Sequence, residues 1–213
     1  MTMKSLMMTK YGDVNTSLEL QEVPLPVINP NQIRIKTFSA SFNPFDYKVL
    51  RGDFKAIRKI KFPRGIGRDV SGVIDEVGEK VKSFKVGDKV YARINEEFVG
   101  TMAESVISNV DDVALIPSSL NHVEAASIPL AGLTSYQALI DIVKLSKGED
   151  ILIHAGSGGV GTIAIQLAKH IGANVTTTTS TKNIDFVKGL GADNIIDYTK
   201  KSYLQQGTKF DVV

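Results

Sequence analysis

Three spaced glycines after a short apolar run have the clearest chemical meaning in this sequence. Residues 151–161 read Ile-Leu-Ile-His-Ala-Gly-Ser-Gly-Gly-Val-Gly, which places Gly156, Gly158 and Gly161 in the pattern G-x-G-x-x-G. An unbroken apolar run is typical of a buried parallel strand, and a helix N-terminus offers free N–H groups to phosphates. In such loops the first glycine permits a tight turn, the second admits a pyrophosphate, and the third allows close helix packing. The segment predicts a dinucleotide-binding loop.

The residues after the glycines favour a helix and then a second strand. Ile163, Leu167 and Ile171 recur at helical spacing, and Gly172 follows them as a left-handed cap. Residues 174–179 form an extended run. A glycine-rich turn that binds no ligand is the alternative, but this strand–helix–strand context favours the nucleotide site.

The end of the second strand bears on the phosphate state of the cofactor. An acidic residue about 20 positions beyond the glycines would bind the ribose 2′-hydroxyl and select NAD. Residues 178–182 are instead Thr-Thr-Ser-Thr-Lys, and no carboxylate follows before Asp185. Hydroxyl donors and a lysine suit a 2′-phosphate, so we predict NADPH, held by Ser180 and Lys182. In the alternative, Ser180 or Thr181 caps the next helix and Lys182 is solvated; both can hold at once.

Composition excludes several classes of protein. The 213 residues carry a net charge of only +2, which argues against a nucleic-acid partner. No apolar run reaches the length of a membrane span, and the N-terminus lacks the apolar region of a signal peptide. There are no cysteines, so thiolate metal ligands and disulfides are excluded. We expect a cytoplasmic protein.

Strand-like and helical patterns divide the chain in two. Alternation at residues 33–36, 69–77 and 110–115 predicts strands in a β-rich first part, and a helical pattern begins near residue 123. We therefore expect domains at residues 1–122 and 123–213. The fold class predicted is α/β, with a β-rich domain preceding a parallel, Rossmann-type sheet.

Six motifs in a fixed order resemble one family. They are Ser-Phe-Asn-Pro-Phe-Asp-Tyr-Lys at 41–48, Gly-Arg-Asp-Val-Ser-Gly-Val-Ile at 67–74, Val-Gly-Asp-Lys-Val at 86–90, Ile-Pro-Leu-Ala-Gly-Leu-Thr-Ser-Tyr at 128–136, the glycine loop at 155–161, and Gly-Ala-Asp-Asn-Ile-Ile-Asp-Tyr at 191–198. Together they resemble the zinc-independent quinone oxidoreductase branch of the medium-chain dehydrogenase/reductase superfamily. The resemblance implies a GroES-like substrate domain, a Rossmann domain, and NADPH with a small quinone or enone as reactants.

The resemblance also implies roles for single residues. Thr134 would contact the nicotinamide, although on its own it could cap a helix. The pyrophosphate would be lined by Ser157, Gly159 and Val160, and Tyr198 would join Ser180 and Lys182 at the adenosine end. The ligand positions of a zinc enzyme in the superfamily would fall at Asn43, Arg68 and Asp69 and near Leu130, which do not make a catalytic zinc site. We expect no metal.

Chemistry without a metal needs donors beside the oxygen on which negative charge builds up. The Asn43 amide and the Tyr47 hydroxyl can donate, and Asp46 can hold the local structure. A simple turn at Asn43-Pro44 is the equally weighted alternative. His154 ends the first predicted strand, and we expect it to be packed rather than catalytic. The predicted function is NADPH-dependent reduction of a quinone or an α,β-unsaturated carbonyl without zinc.

The last residues set the extent of the predicted sheet. Strands 1, 2 and 3 fall at residues 151–155, 174–179 and 194–197, and residues 210–213 begin strand 4. A full Rossmann sheet has six strands in the order 3-2-1-4-5-6, so we expect an incomplete sheet in a shortened chain. An open strand edge favours pairing with another chain, for instance in a homo-oligomer. A non-catalytic NADPH-binding or interaction module is the alternative function.

Overall fold

The computed structural model describes residues 1–57, 59–95, 100–200 and 209–213. They form two compact units, Met1–Leu130 and Ala131–Val213. This division falls later in the chain than the predicted one at residues 122–123. The reason is local: helix α3 (His122–Ala126) packs against strands of the first unit, where the Ser71 hydroxyl donates to the His122 carbonyl over 2.6 Å.

Two antiparallel sheets build the first unit. Strands β1 (Thr2–Met8), β2 (Leu18–Pro24) and β4 (Arg64–Gly65) pair in the order β2-β1-β4, and the short helix α1 (Val14–Ser17) precedes β2. The second sheet has the order β7-β3-β5-β6-β8. Its strands are β3 (Gln32–Ser41), β5 (Asp69–Val77), β6 (Lys89–Arg93), β7 (Ser105–Asn109) and β8 (Val113–Leu115).

The core of the larger sheet follows from the alternation of its strands. Ile33, Ile35, Val70, Ile74 and Val90 are fully buried and pack together, because alternate side chains of a strand share one face. The alternation at residues 110–115, however, does not form one strand. Val110–Asp112 make a 3-10 turn between β7 and β8, so the prediction of a continuous strand there was wrong.

Helix α2 (Pro44–Arg51) joins the sheets at the predicted Asn-Pro motif. Asn43 is its N-cap residue, Pro44 occupies the first helical position, and Gly52 closes the helix in a left-handed conformation with φ of 82°. Leu50 lies on its buried face against Met8 and Ile66. Proline in the first turn loses no helical hydrogen bond, so the sequence sets the helix start sharply.

The second unit is a parallel α/β sheet. Strands β9 (Asp150–Ile153), β10 (Asn174–Thr179) and β11 (Asn194–Asp197) lie in the order β11-β10-β9, with α5 (Gly159–Ile171) connecting β9 to β10 and α6 (Ile184–Gly189) following β10. Val212 forms a parallel bridge with Ile151. The predicted order 3-2-1-4 is therefore confirmed for the residues described, and the core packs Ile151, Ile165, Val175 and Val187 together.

One helix leads into this unit. Helix α4 (Pro129–Tyr136) is followed directly by a π-helical segment, Gln137–Ile142. Among the described residues, no helix is both long and apolar enough to cross a bilayer.

Candidate functional site

The glycine loop is shaped by two close contacts and one left-handed residue. A Cβ on Gly156 would lie 2.1 Å from Thr177 Oγ1, and one on Gly161 would lie 2.5 Å from the Ala155 carbonyl oxygen. Both glycines are therefore required by close packing. The left-handed residue of the turn is Ala155, with φ of 53°. Gly156 lies within this turn, and its lack of a side chain lets β10 approach the loop.

Gly158 has a different environment. A Cβ there would meet only the Ala155 carbonyl oxygen, at 3.2 Å, and one on Gly159 would meet nothing within 4 Å. Gly158 is exposed, with extended φ and ψ of −81° and 167°, and it is the N-cap of α5. The first N–H groups of a helix have no partner inside it and attract phosphate. Open space, free donors and exposed backbone thus meet where a pyrophosphate is expected.

The ends of β10 and β11 form the predicted adenosine end. Lys182 and Tyr198 are exposed, and the Tyr198 backbone N–H donates to the Thr179 carbonyl over 3.1 Å. Ser180 is the N-cap of a 3-10 turn, Thr181–Asn183, but its side chain makes no capping bond. The structure thus brings Ser180, Lys182 and Tyr198 to the same sheet edge as the loop.

A carboxylate that the sequence reasoning overlooked lies at this edge. Asp197 pairs in register with Thr179, although the two are distant in sequence. Its Oδ2 accepts from Thr181 Oγ1 over 2.5 Å and its Oδ1 accepts from Thr199. Hydrogen bonds from the side chains of Thr181 and Thr199 lower the pKa of Asp197. The parallel pairing of predicted strands 2 and 3 was the signal that could have located it.

Thr134 lies in the same unit as the loop. It is an exposed residue inside α4, which begins at Pro129, so it does not cap the helix as the alternative proposed. The neighbouring Ser135 hydroxyl lies 2.9 Å from the Ala131 carbonyl oxygen and 3.0 Å from that of Val160. This contact fixes α4 to the first turn of α5.

In the first unit, the predicted residue Asn43 binds a buried carboxylate, that of Asp69. Asp69 Oδ2 accepts from Asn43 Nδ2 over 2.9 Å and from Ser41 Oγ over 3.0 Å, and Oδ1 accepts from the Leu130 N–H over 3.1 Å. Asn43 Nδ2 also lies 3.2 Å from Ser41 Oγ. Burial raises the pKa of Asp69, and these hydrogen bonds oppose the rise. Both amide hydrogens of Asn43 are used, so donation to an acceptor requires one of these bonds to be released.

Asp46 and Tyr47 are consecutive residues of α2 that differ in burial. Asp46 is buried, and its Oδ2 accepts from the Asn43 backbone N–H over 2.8 Å, which secures the start of the helix. Burial raises the pKa of Asp46, and the Asn43 bond and the Arg68 charge act against it. The Tyr47 side chain is 43% exposed, and its ring lies 5.4 Å from the Arg51 guanidinium carbon.

An apolar cavity of ≈ 270 Å³ adjoins this helix. Phe45, Phe54, Ile57 and Ile60 contribute to its walls, with Asp46 and Arg68 among the polar residues that line it. The Arg68 guanidinium carbon lies 4.5 Å over the centre of the Phe45 ring.

The environment of one histidine, His154, differs from the prediction. His154 follows the end of β9 and is exposed, so the prediction that it is packed was wrong; its Nδ1 lies 3.3 Å from Thr178 Oγ1. The strand ends one residue before it, at Ile153. His122 Nδ1 lies 3.2 Å from Ser71 Oγ, its ring stacks on Phe38, and burial lowers its pKa.

Comparison with known proteins matches both halves of the chain. The model of the alcohol dehydrogenase GroES-like domain matches residues 29–118, and that of the zinc-binding dehydrogenase family matches residues 159–213. A 2-methylene-furan-3-one reductase of Solanum lycopersicum is 41% identical over 99% of this chain. A chloroplastic NADPH-dependent alkenal/one oxidoreductase of Arabidopsis thaliana is 37% identical over 99%. This chain spans 56% of the length of each.

A solved structure completes the comparison. The quinone oxidoreductase of Coxiella burnetii superimposes on 100% of this chain, and the match covers 68% of that protein, with a TM-score of 0.91 and 38% identity. One plant relative is named as chloroplastic, so the cytoplasmic location expected from the sequence stays a prediction. Because sequence and structure agree over the whole length described, this chain belongs to the quinone oxidoreductase branch of the medium-chain dehydrogenase/reductase superfamily.

Proposed function

We propose that this chain binds NADPH and reduces a quinone or an α,β-unsaturated carbonyl without zinc. The observation that carries the proposal is the open space at Gly158, where exposed backbone meets the N-terminus of α5 and a side chain would fill the approach. Relatives named as quinone oxidoreductase and as NADPH-dependent alkenal/one oxidoreductase support it.

The preference for NADPH is supported by the adenosine end. Lys182 provides a positive charge and Ser180 a hydroxyl where an NAD enzyme would place an acidic residue. Asp197 lies at the same edge, but its carboxylate is engaged by Thr181 and Thr199. A carboxylate that already accepts these bonds is less available to a ribose hydroxyl, so it does not provide the NAD-selecting contact.

The absence of a zinc requirement is inferred from donor chemistry. A catalytic zinc needs three donors from His, Cys or carboxylate. The positions that resemble its ligands hold Asn43, Arg68, Asp69 and Leu130. Within the described parts of the chain, no three His, Cys, Asp or Glu side chains are grouped to hold a metal ion. Asp69 instead accepts hydrogen bonds from Asn43 and Leu130, so its oxygens are already satisfied.

The bound cofactor would supply the hydride, and the protein residues would orient the reactants. We assign Tyr47 as a donor to the acceptor oxygen, because no bond engages its hydroxyl within the described residues and its ring is half-exposed. Asn43 contacts substrate or nicotinamide, and Asp46 holds the helix that carries both.

The direct test measures binding and turnover separately. Fluorescence titration gives the affinity for NADPH, and absorbance at 340 nm follows its oxidation by 1,4-naphthoquinone or by a simple enone. We expect micromolar NADPH binding and turnover that survives prolonged treatment with a chelator. Turnover that disappears on chelation and returns with zinc refutes the metal-free mechanism. Tight NADPH binding with no turnover by either acceptor supports the non-catalytic alternative.

The phosphate preference has its own test. Lys182→Glu should weaken NADPH binding about tenfold or more, because it replaces attraction to the 2′-phosphate by repulsion, while NADH binding changes by less than about twofold. Lys188→Glu is the matched control, since Lys188 is also exposed and lies on the adjacent helix α6. Equal losses for the two nucleotides would contradict the assignment.

A further inference from the structure

The run of threonines in β10 does more than fill a strand. Thr177 Oγ1 donates to the Ile153 carbonyl over 2.7 Å, at the end of β9. Thr178 Oγ1 accepts from the Ala155 N–H over 3.0 Å, and Thr179 Oγ1 donates to Ser157 Oγ over 3.1 Å. Three consecutive hydroxyls thus hold three successive points of the chain that forms the glycine loop. Successive side chains of a strand alternate in direction, so the loop is held from both faces.

Valine would satisfy the strand equally well, because both residues are β-branched. Strand propensity therefore does not explain why these positions carry hydroxyl groups. Thr176 provides the internal comparison: it is also buried, although slightly less so than its neighbours, and no described bond joins its hydroxyl to the loop. The Thr178 bond has a specific use, because it fixes the N–H of Ala155, whose φ of 53° is unfavourable for a residue with a Cβ.

Ser157 is the point where this arrangement meets the ligand site. Its Oγ accepts from Thr179 Oγ1 over 3.1 Å and from Asn183 Nδ2 over 3.1 Å. A serine oxygen has two acceptor positions and one proton. With both acceptor positions filled, the proton must point elsewhere, and no described residue accepts it. Ser157 is half-buried and lies between buried Gly156 and exposed Gly158.

We propose that Thr178, Thr179 and Asn183 are positioning residues that preset the phosphate loop before the nucleotide arrives. Thr178 holds the left-handed turn at Ala155. Thr179 and Asn183 fill the acceptor positions of Ser157 and so direct its hydroxyl proton towards a dinucleotide phosphate oxygen. This inference rests on the proposed function, because it takes NADPH as the ligand. A donor already oriented loses less freedom on binding than one that must turn, and this favours affinity.

The first experiment compares single variants by NADPH titration. Thr179→Val should raise the NADPH Kd about tenfold, since a hydrogen bond to a charged group is at stake. Thr179→Ser keeps the hydroxyl and should stay within about threefold of wild type, and Thr176→Val should leave the Kd unchanged. Thermal unfolding without nucleotide shows whether each variant is folded. Equal Kd values for wild type and a folded Thr179→Val would overturn the orientation of Ser157.

A double-mutant cycle separates orientation from general weakening of the loop. Ser157→Ala should raise the Kd about tenfold on its own. In that background neither Thr179→Val nor Asn183→Ala should raise it further, because the proton that they direct is gone. Additive losses would overturn the proposal, since they would show that Thr179 acts without Ser157.

The scaffold can also be tested without nucleotide. Amide hydrogen exchange at Ala155 should be slow in wild type and at least tenfold faster in Thr178→Val, because the N–H loses its acceptor. Unchanged exchange would overturn the role of Thr178. Wild-type protein that does not bind NADPH would refute the proposed function and the direction of the Ser157 proton together. If wild type binds NADPH and a folded Thr179→Val binds it equally well, only the proposed direction of the Ser157 proton is refuted.

Discussion

The substitution Gly158→Ala should weaken NADPH binding while it leaves the stability of the fold nearly unchanged. Gly158 has φ of −81° and ψ of 167°, which any residue can adopt. The added Cβ would lie 3.2 Å from the Ala155 carbonyl oxygen and would meet no other atom within 4 Å. Gly158→Ala therefore asks the fold for an adjustment of a few tenths of an ångström, while it places a methyl group where the pyrophosphate must approach the backbone.

The two effects differ in size. The change lowers the entropy of the unfolded chain, which favours folding by about 0.4–1 kcal/mol and offsets the tight contact with Ala155. We expect the free energy of unfolding to stay within about 1 kcal/mol of wild type. The NADPH Kd should rise at least tenfold, which corresponds to about 1.4 kcal/mol. Gly158→Val should abolish measurable binding, because its branched side chain fills more of the same space.

Two neighbouring glycines provide matched controls. A Cβ on Gly159 would meet nothing within 4 Å, so Gly159→Ala should keep its fold. A Cβ on Gly161 would lie 2.5 Å from the Ala155 carbonyl oxygen and 2.7 Å from Gly156 Cα. Gly161→Ala should therefore cost about 1–3 kcal/mol of stability, as overpacking does. The series thus distinguishes a glycine needed by the ligand from one needed by the fold.

The assay combines urea unfolding of the nucleotide-free protein with fluorescence titration of NADPH. The expected result is a Gly158→Ala protein that is stable and binds weakly, and a Gly161→Ala protein that is unstable. If Gly158→Ala binds NADPH like wild type, the phosphates do not approach this position, and the assignment of the loop is refuted. A Gly158→Ala protein that loses several kcal/mol of stability would instead show that the methyl group is not accommodated.

Two other predictions concern carboxylates. Partial burial opposes ionisation of Asp193, but hydrogen bonds from Lys169 and Val175 prevail and lower its pKa below 3.8. Its contribution to stability is present above pH 3.8 and is lost as the pH falls through the lowered pKa. Because the pair is half-exposed, Asp193→Asn should lower the free energy of unfolding by under about 1 kcal/mol at pH 7. A difference in unfolding free energy between variant and wild type that stays constant down to about pH 2 would contradict this. Asn43→Ala removes a donor from buried Asp69, so it should cost about 1–3 kcal/mol of stability and lower turnover with naphthoquinone; unchanged unfolding and turnover would reduce Asn43 to a turn former.

The nucleotide-binding unit could be predicted closely because its signals are local. An apolar run, spaced glycines and a helical repeat determine β9, the loop and α5 within residues 151–171. The details that failed depend on contacts distant in sequence. The close approach of Thr177 to Gly156 arises from the pairing of β9 and β10. No local pattern could show it, and Ala155 was therefore not expected to adopt the left-handed turn.

The first unit was less predictable, since its strands pair across long loops. Alternation identified residues 69–77, which form β5 as expected. At residues 110–115 the same pattern was broken by a 3-10 turn, in which Asp111 and Asp112 sit in the first turn. The Val113 backbone N–H donates to the Val110 carbonyl within this turn, so it is not available to a neighbouring strand. Alternating valines alone therefore did not suffice to predict a strand.

The hydrogen bonds around Asp69 also join segments that are distant in sequence. A buried carboxylate is stable only when donors surround it, and Asn43, Ser41 and the Leu130 N–H supply them from three separate segments. The residue types at Asn43 and Asp69 read locally as a turn and a strand start. The Asn43 amide donates to the buried Asp69 carboxylate, whereas a thiolate at position 43 would repel it.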